Sequence, residues 1–172
     1  MPADTHVDGP DFPALSPTRK DYDMITTELG SYPKLAKYLR TMLPISPRYV
    51  PKRYKAYAKH CGDDAKALEG ITYGRGPTLK AVDVKAAIGE EANAYFWEPH
   101  GKDNLFIEIK NAKKYEKNPD KYHVAIQYLM LHELIHWARH ALSLSVEVDG
   151  KEAGNSFEVE AYGVDVSYLW DR

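Results

Sequence analysis

The longest apolar stretch of the chain, VAIQYLMLHELIHWARHAL from Val124 to Leu142, is apolar on almost every face of a helix, so it predicts a central helix that other elements must surround. Asn118-Pro119-Asp120 supplies its start: an N-cap, a proline at the first helical position and an acid in the first turn. Other stretches are apolar on one face only. Between Tyr22 and Leu43 the positions Ile25, Leu29, Leu35, Leu39 and Leu43 recur near helical spacing, and Gly30 and Pro33 break them into two short helices joined by a bend. In PKRYKAYAKHC the residues Tyr54, Tyr57, Ala58 and Cys61 share a face, with the basic residues mostly on the solvated side. A last helix is expected from Ser156 to about Trp170, its core stripe made of Phe157, Ala161, Val164 and Tyr168.

Between residues 71 and 110 the pattern changes to short runs, ITY, TLKAVDV, NAYFWE and NLFIEIK, separated by glycines, and these predict strands. NLFIEIK alternates, with Leu105, Ile107 and Ile109 on one side and Phe106, Glu108 and Lys110 on the other, and EPHGKD before it reads as its hairpin turn. The expected class is α+β, a small and mostly antiparallel sheet packed on a central helix with further helices around it.

Composition narrows the class. At 172 residues the chain suits one domain, with residues 1–18, rich in Pro, Asp, Gly, Ser and Thr, expected as a tail or linker and residues 19–172 as the domain. The net charge of −2 gives no broad electrostatic footprint for nucleic acid. No apolar run approaches the roughly 20 residues of a membrane span, and the N-terminal stretch does not read as a secretory signal. The single cysteine, Cys61, permits neither an internal disulfide nor a cysteine-based zinc knuckle, so a metal would be held by histidine and carboxylate.

The central helix contains that chemistry. His132 and His136 in His-Glu-Leu-Ile-His lie at i and i+4 on one face, with Cβ atoms about 5 to 6 Å apart, so both imidazoles can reach one zinc. Glu133, rotated by about 100°, is poorly placed as a ligand but well placed to act as general base on a water. In a chain with 7 histidines this pattern is expected by chance in roughly 2 per cent of cases. Three polar side chains in so apolar a helix would cost about 1 to 3 kcal/mol each if buried without partners, and a metal satisfies all three. His140, about 12 Å along the axis from His132, is too far to complete the same tetrahedron. The third ligand must come from another element. In the last helix Glu158, Glu160 and Asp165 are candidates that periodicity does not separate, and Glu158 could equally close a capping box on Asn155. Tyr162, about one turn from Glu158, is a candidate oxyanion donor, although a tyrosine there more often serves the core or supports a neighbouring group.

HELIHWARH followed by GNSFEVEAYGVDV resembles the gluzincin-type zincin metallopeptidases, and more closely the metallopeptidase toxin domains of bacterial polymorphic-toxin and type VI secretion effectors, over residues 94 to 170. The resemblance implies zinc held by His132, His136 and Glu158, with Glu133 as general base. It implies Glu158 in preference to Glu160 because Glu158 stands three residues before Ala161. It further implies an antiparallel edge strand before the active-site helix to which a substrate peptide adds, a position that NLFIEIK fits. On this likeness the protein would be a zinc-dependent metallopeptidase and a secreted effector toxin. It would act on a protein or peptide in a target cell, such as in its periplasm, with a delivery module and an immunity protein as partners. A second resemblance is to the metallopeptidase-like domain of anti-restriction proteins, and a third reading is a non-catalytic, zinc-stabilised binding module.

Overall fold

A computed structural model describes residues 29–163 and 166–170. The expected tail, the helix expected around Ile25, and Asp165 lie outside the described residues. Helix α1 (Pro33–Thr41) has no capping side chain of its own; its free Lys34 N–H donates instead to the Glu116 carboxylate at 3.0 Å, which docks it on a later helix. A short α2 (Ser46–Tyr49) leads into α3 (Pro51–Cys61), which stops at Gly62 with φ +86°. Helix α4 (Asp64–Ile71) is capped by Asp63, whose carboxylate accepts from Lys66 N–H at 2.7 Å.

The sheet follows, with strands β1 (Thr78–Val82), β2 (Ala94–Tyr95) and β3 (Asn104–Glu108), a short α5 (Val84–Ile88) between β1 and β2, and a 3-10 turn at Glu98–His100 linking β2 to β3. Its order is β1-β3-β2, with β3 central, parallel to β1 from Thr78↔Asn104 to Val82↔Glu108 and antiparallel to β2. The α+β class is as expected and EPHGKD does join an antiparallel pair. The sheet is nevertheless mixed, its longer pairing is parallel, and NLFIEIK supplies the middle strand where an edge strand was expected. Alternation misreads β3 because both of its faces are covered: Leu105 and Ile107 face the main core, while Phe106 packs with Val84 and Tyr95 in a small second cluster. The strand also ends sooner. Glu108 accepts from Lys110 N–H and Val84 N–H, and this cap starts helix α6 (Ile109–Lys117) where the strand was expected to continue. ITY is not a strand, since Ile71 closes α4.

Helix α7 (Pro119–Ala141) begins as predicted, Asn118 Oδ1 accepting from Lys121 N–H at 3.1 Å. It is enclosed by α3, α4, α6, the sheet and the final helix, and Ile126, Met130, Leu131 and Ile135 are almost wholly buried. After it, β4 (Glu147–Val148) and β5 (Lys151–Glu152) form a two-stranded hairpin around Asp149 (φ +53°) and Gly150 (φ +73°), the two positive φ values of a tight hairpin turn. Helix α8 (Ala153–Tyr162) starts and ends earlier than expected. Its cap is Glu152 in place of Asn155, and Gly163 at φ +80° stops it before the residues expected to continue it; a separate 3-10 turn spans Ser167–Trp170. Of its expected stripe, Phe157 is fully buried and Ala161 partly so. No helix among the described residues is long and apolar enough to cross a membrane.

Candidate metal centre

Helix α7 brings His132 and His136 side by side, ring centroids 5.0 Å apart, and β5 brings Glu152 against them. His136 Nε2 lies 3.2 Å from Glu152 Oε1, and His132 Nε2 lies 3.8 Å from Glu152 Oε2. A tetrahedral zinc with ligands at about 2.0 to 2.1 Å has ligand atoms about 3.4 Å apart, so these three residues fit one ion with small adjustments. Glu152 is fixed from the other side too: as the cap of α8 its oxygens accept from Gly154 N–H at 2.5 Å and Asn155 N–H at 2.6 Å. Helix N-termini favour a carboxylate there.

The same turn explains Gly154. A Cβ at that position would stand 2.5 Å from His132 Nε2, so only glycine lets the first turn of α8 close over the imidazole. The space beside that nitrogen therefore depends on a missing side chain.

Glu158, expected as a ligand, is almost buried, with Oε1 2.7 Å from His132 Nδ1. This contact fixes which imidazole nitrogen is left for the cluster: with Nδ1 on Glu158, Nε2 faces Glu152. Glu160 is not at the site; it pairs with Lys59 at 2.7 Å and His60 at 3.0 Å on the α3 side of α8. Tyr162 is also outside the cluster. Its hydroxyl donates to Gln127 Oε1 at 3.4 Å, the Arg53 guanidinium lies 4.6 Å from its ring, and burial raises its pKa.

Glu133 is buried beside the histidines and accepts from the Phe96 backbone N–H, just past β2. Burial pushes its carboxyl up to about 7, against the lowering influence of His132 and of the Phe96 donor. The two histidines diverge. Burial resists protonation of His132, but the Glu158 hydrogen bond and the surrounding glutamates outweigh it and raise its pKa. Burial, with the charges of His132 and Arg139, lowers the pKa of His136.

Glu133, His136 and Glu152 open into a cleft of about 510 Å³. The segment Ala94–Glu98 forms one wall, Glu133, His136 and His140 the floor, and Leu144, Val146 and Glu152 the other wall. Trp97, Leu144 and Val146 are exposed apolar side chains, so the cleft has an apolar rim beside a polar floor. His140, excluded by distance from the ligand set, lies in this floor 3.9 Å from Glu98.

Sequence reasoning did not place Glu152 and Gly154 at this cluster. The available signal was the Asp149-Gly150 dipeptide between two short extended runs, which marks a hairpin returning toward α7.

Neither the curated proteins nor the solved structures give a match to this chain. A family profile does: that of metallopeptidase toxin 3 matches residues 30–163, a span that takes in α1 through Gly163 and holds every residue of the cluster. An HExxH helix whose histidines meet a carboxylate, within a chain matched over most of its length, makes this protein a member of the metallopeptidase toxin 3 family, and so a metal-dependent peptidase toxin.

Proposed function

We propose that the protein is a zinc-dependent peptidase in which His132, His136 and Glu152 hold the ion, Glu158 orients His132, and Glu133 is the general base. The observation that carries this reading is the convergence of the two imidazoles on Glu152 while a separate buried carboxylate, Glu133, faces the same cleft. The donor set, two imidazole nitrogens and a carboxylate oxygen, is one that zinc accepts with a fourth position open. Zinc bound there supplies a Lewis acid that polarises the scissile carbonyl and acidifies water.

The chain's own groups supply the rest. Glu133 takes a proton from the attacking water as the new C–O bond forms, then returns it to the departing amine nitrogen as the C–N bond breaks. Burial, which raises this carboxyl above the ordinary carboxylate range, favours its holding the proton between the two transfers. The Phe96 N–H keeps its oxygens aimed while β2, an edge of the sheet, offers unpaired backbone to an extended substrate. Trp97, Leu144 and Val146 suit an apolar side chain of that substrate.

As a toxin of this family, the protein is read as an effector domain delivered to a target cell and neutralised in its producer by an immunity protein. Two assays test the reading. Zinc-loaded protein should cleave an unfolded protein such as casein, and Glu133→Gln should keep its zinc while losing about 100-fold to 10,000-fold in rate. Expression directed to a bacterial cytoplasm or periplasm should arrest growth in at least one compartment, and only with Glu133 intact. Retention of hydrolysis by zinc-loaded Glu133→Gln contradicts the base assignment, and harmless expression in both compartments contradicts the effector reading.

A further inference from the structure

The carboxylate at the centre of the cluster hangs from a segment with almost no core of its own. Between Ser143 and Lys151 no side chain is buried, and Val148 alone packs partly against the core. Yet this strap must return from the end of α7 to place Glu152 within about one atomic contact of His136. Backbone bonds begin the return: Ser143 takes φ +55°, and Leu144 N–H donates to Arg139 C=O at 2.8 Å. The Glu147↔Glu152 register and the bond from Ala153 N–H to Val146 C=O at 3.0 Å then tie Glu152 to residues 146–147. Those ties fix the hairpin to itself. On its far side Glu152 is held by α8, which it caps and whose buried Ala153 and Gly154 pack at α7, but these ties do not attach residues 145–147 to the helix that carries the histidines.

One side chain does. Arg139, in the last turn of α7 and only 7% exposed, spreads its guanidinium over three main-chain carbonyls from separate places in the sequence. Nε donates to Ser145 C=O, Nη2 to Glu147 C=O at 3.4 Å, and Nη1 to His60 C=O at 2.9 Å near the end of α3. Two of the three carbonyls belong to the strap, and one of them belongs to the residue paired with Glu152. Burying a guanidinium is costly unless its donors are satisfied, and a planar fork can meet several carbonyls at once where an ammonium, a point charge on a flexible stem, cannot hold the same pattern.

We propose that Arg139 is a positioning residue for the metal centre: by clamping residues 145 and 147 to α7 and α3 it holds Glu152 at the distance from His132 and His136 that one ion requires. The proposal rests on the reading of Glu152 as the third ligand. Groups that orient ligands typically change metal affinity by about 10-fold to 100-fold when removed.

A double-mutant cycle on the purified full chain tests this. Zinc dissociation constants are read by competition with a chromophoric chelator for wild type, Arg139→Met, Glu152→Ala and the double variant, with circular dichroism recording that each zinc-free protein is folded at the temperature used. Arg139→Met should weaken zinc by about 10-fold to 100-fold. The loss should largely vanish on the Glu152→Ala background, because a clamp that acts through Glu152 has nothing left to position. Arg139→Lys, which keeps the charge without the fork, should recover only part of the affinity, and it completes the same cycle if Arg139→Met does not fold. Wild-type affinity in Arg139→Met, or the same fold-loss with and without Glu152, overturns the clamp. Wild-type affinity in Glu152→Ala instead overturns the ligand reading on which the clamp rests, so the two failures are distinct.

Discussion

Two polar clusters lie between α7 and α8. In one, His132 meets Glu158, with His136 and Glu152 alongside; in the other, about a turn and a half earlier on α7, Gln127 accepts from Arg53 at 3.1 Å and from Tyr162 at 3.4 Å. Both interrupt an apolar helix, and both have partners from α8. They differ in what remains after the partners are counted. Arg53, Gln127 and Tyr162 answer one another with donors and acceptors, and the arrangement has no need of an ion. In the first cluster two imidazole nitrogens and a carboxylate oxygen come within reach of one point, the set of ligand atoms that the proposed ion would use. Polarity in a buried helix thus points to a ligand site where imidazole and carboxylate atoms converge closely enough to share one ion.

The largest effect expected from breaking this contrast is on zinc. His136→Ala should reduce zinc binding below detection at micromolar protein in a metal-content measurement, while Gln127→Ala leaves the stoichiometry at one. Zinc retained by His136→Ala would erase the distinction between the clusters.

The next effect is on stability in the absence of metal. Burial raises Glu133 from an ordinary 4.5 to about 7, so its contribution to folding is fully present below about pH 4.5 and is lost as pH rises through about 7. The change amounts to about 3 kcal/mol. Glu133→Gln does not titrate. The zinc-free variant should therefore gain on zinc-free wild type by about that much between pH 4 and pH 8 in urea unfolding. An unchanged difference between the two across that range would mean that Glu133 titrates in the folded protein as it does in the unfolded one.

The smallest effect concerns the second cluster. Tyr162→Phe removes one long hydrogen bond and should cost no more than about 1 kcal/mol, with zinc affinity and casein hydrolysis unchanged. A loss of hydrolysis of 100-fold or more at unchanged zinc content would instead return Tyr162 to the reaction as the oxyanion donor.

What the sequence made legible follows from how local each signal is. The α7 boundaries could be read because Asn118, Pro119 and Asp120 act on the first turn alone, and His132, Glu133 and His136 because helical geometry sets their spacing without help from the rest of the fold. The pairing of β1 with β3 was hidden because it joins residues 26 apart and leaves no mark on alternation when both faces of β3 are covered. Glu152 was hidden for a related reason. It belongs to a two-residue strand, and it reaches the histidines through the turn at Asp149-Gly150 and the capping of α8, neither of which enters a periodic pattern. The end of α8 could have been placed at Gly163, but the apolar residues beyond it continue a helical spacing that the glycine's left-handed conformation interrupts.

The most direct test is zinc titration of Glu152→Ala beside Glu158→Ala and wild type. The geometry predicts one zinc per wild-type chain, a loss of more than about 100-fold in affinity for Glu152→Ala, and a milder loss of about 10-fold to 100-fold for Glu158→Ala, whose carboxylate orients His132. Wild-type affinity in Glu152→Ala together with no binding in Glu158→Ala would contradict this account and make Glu158 the third ligand.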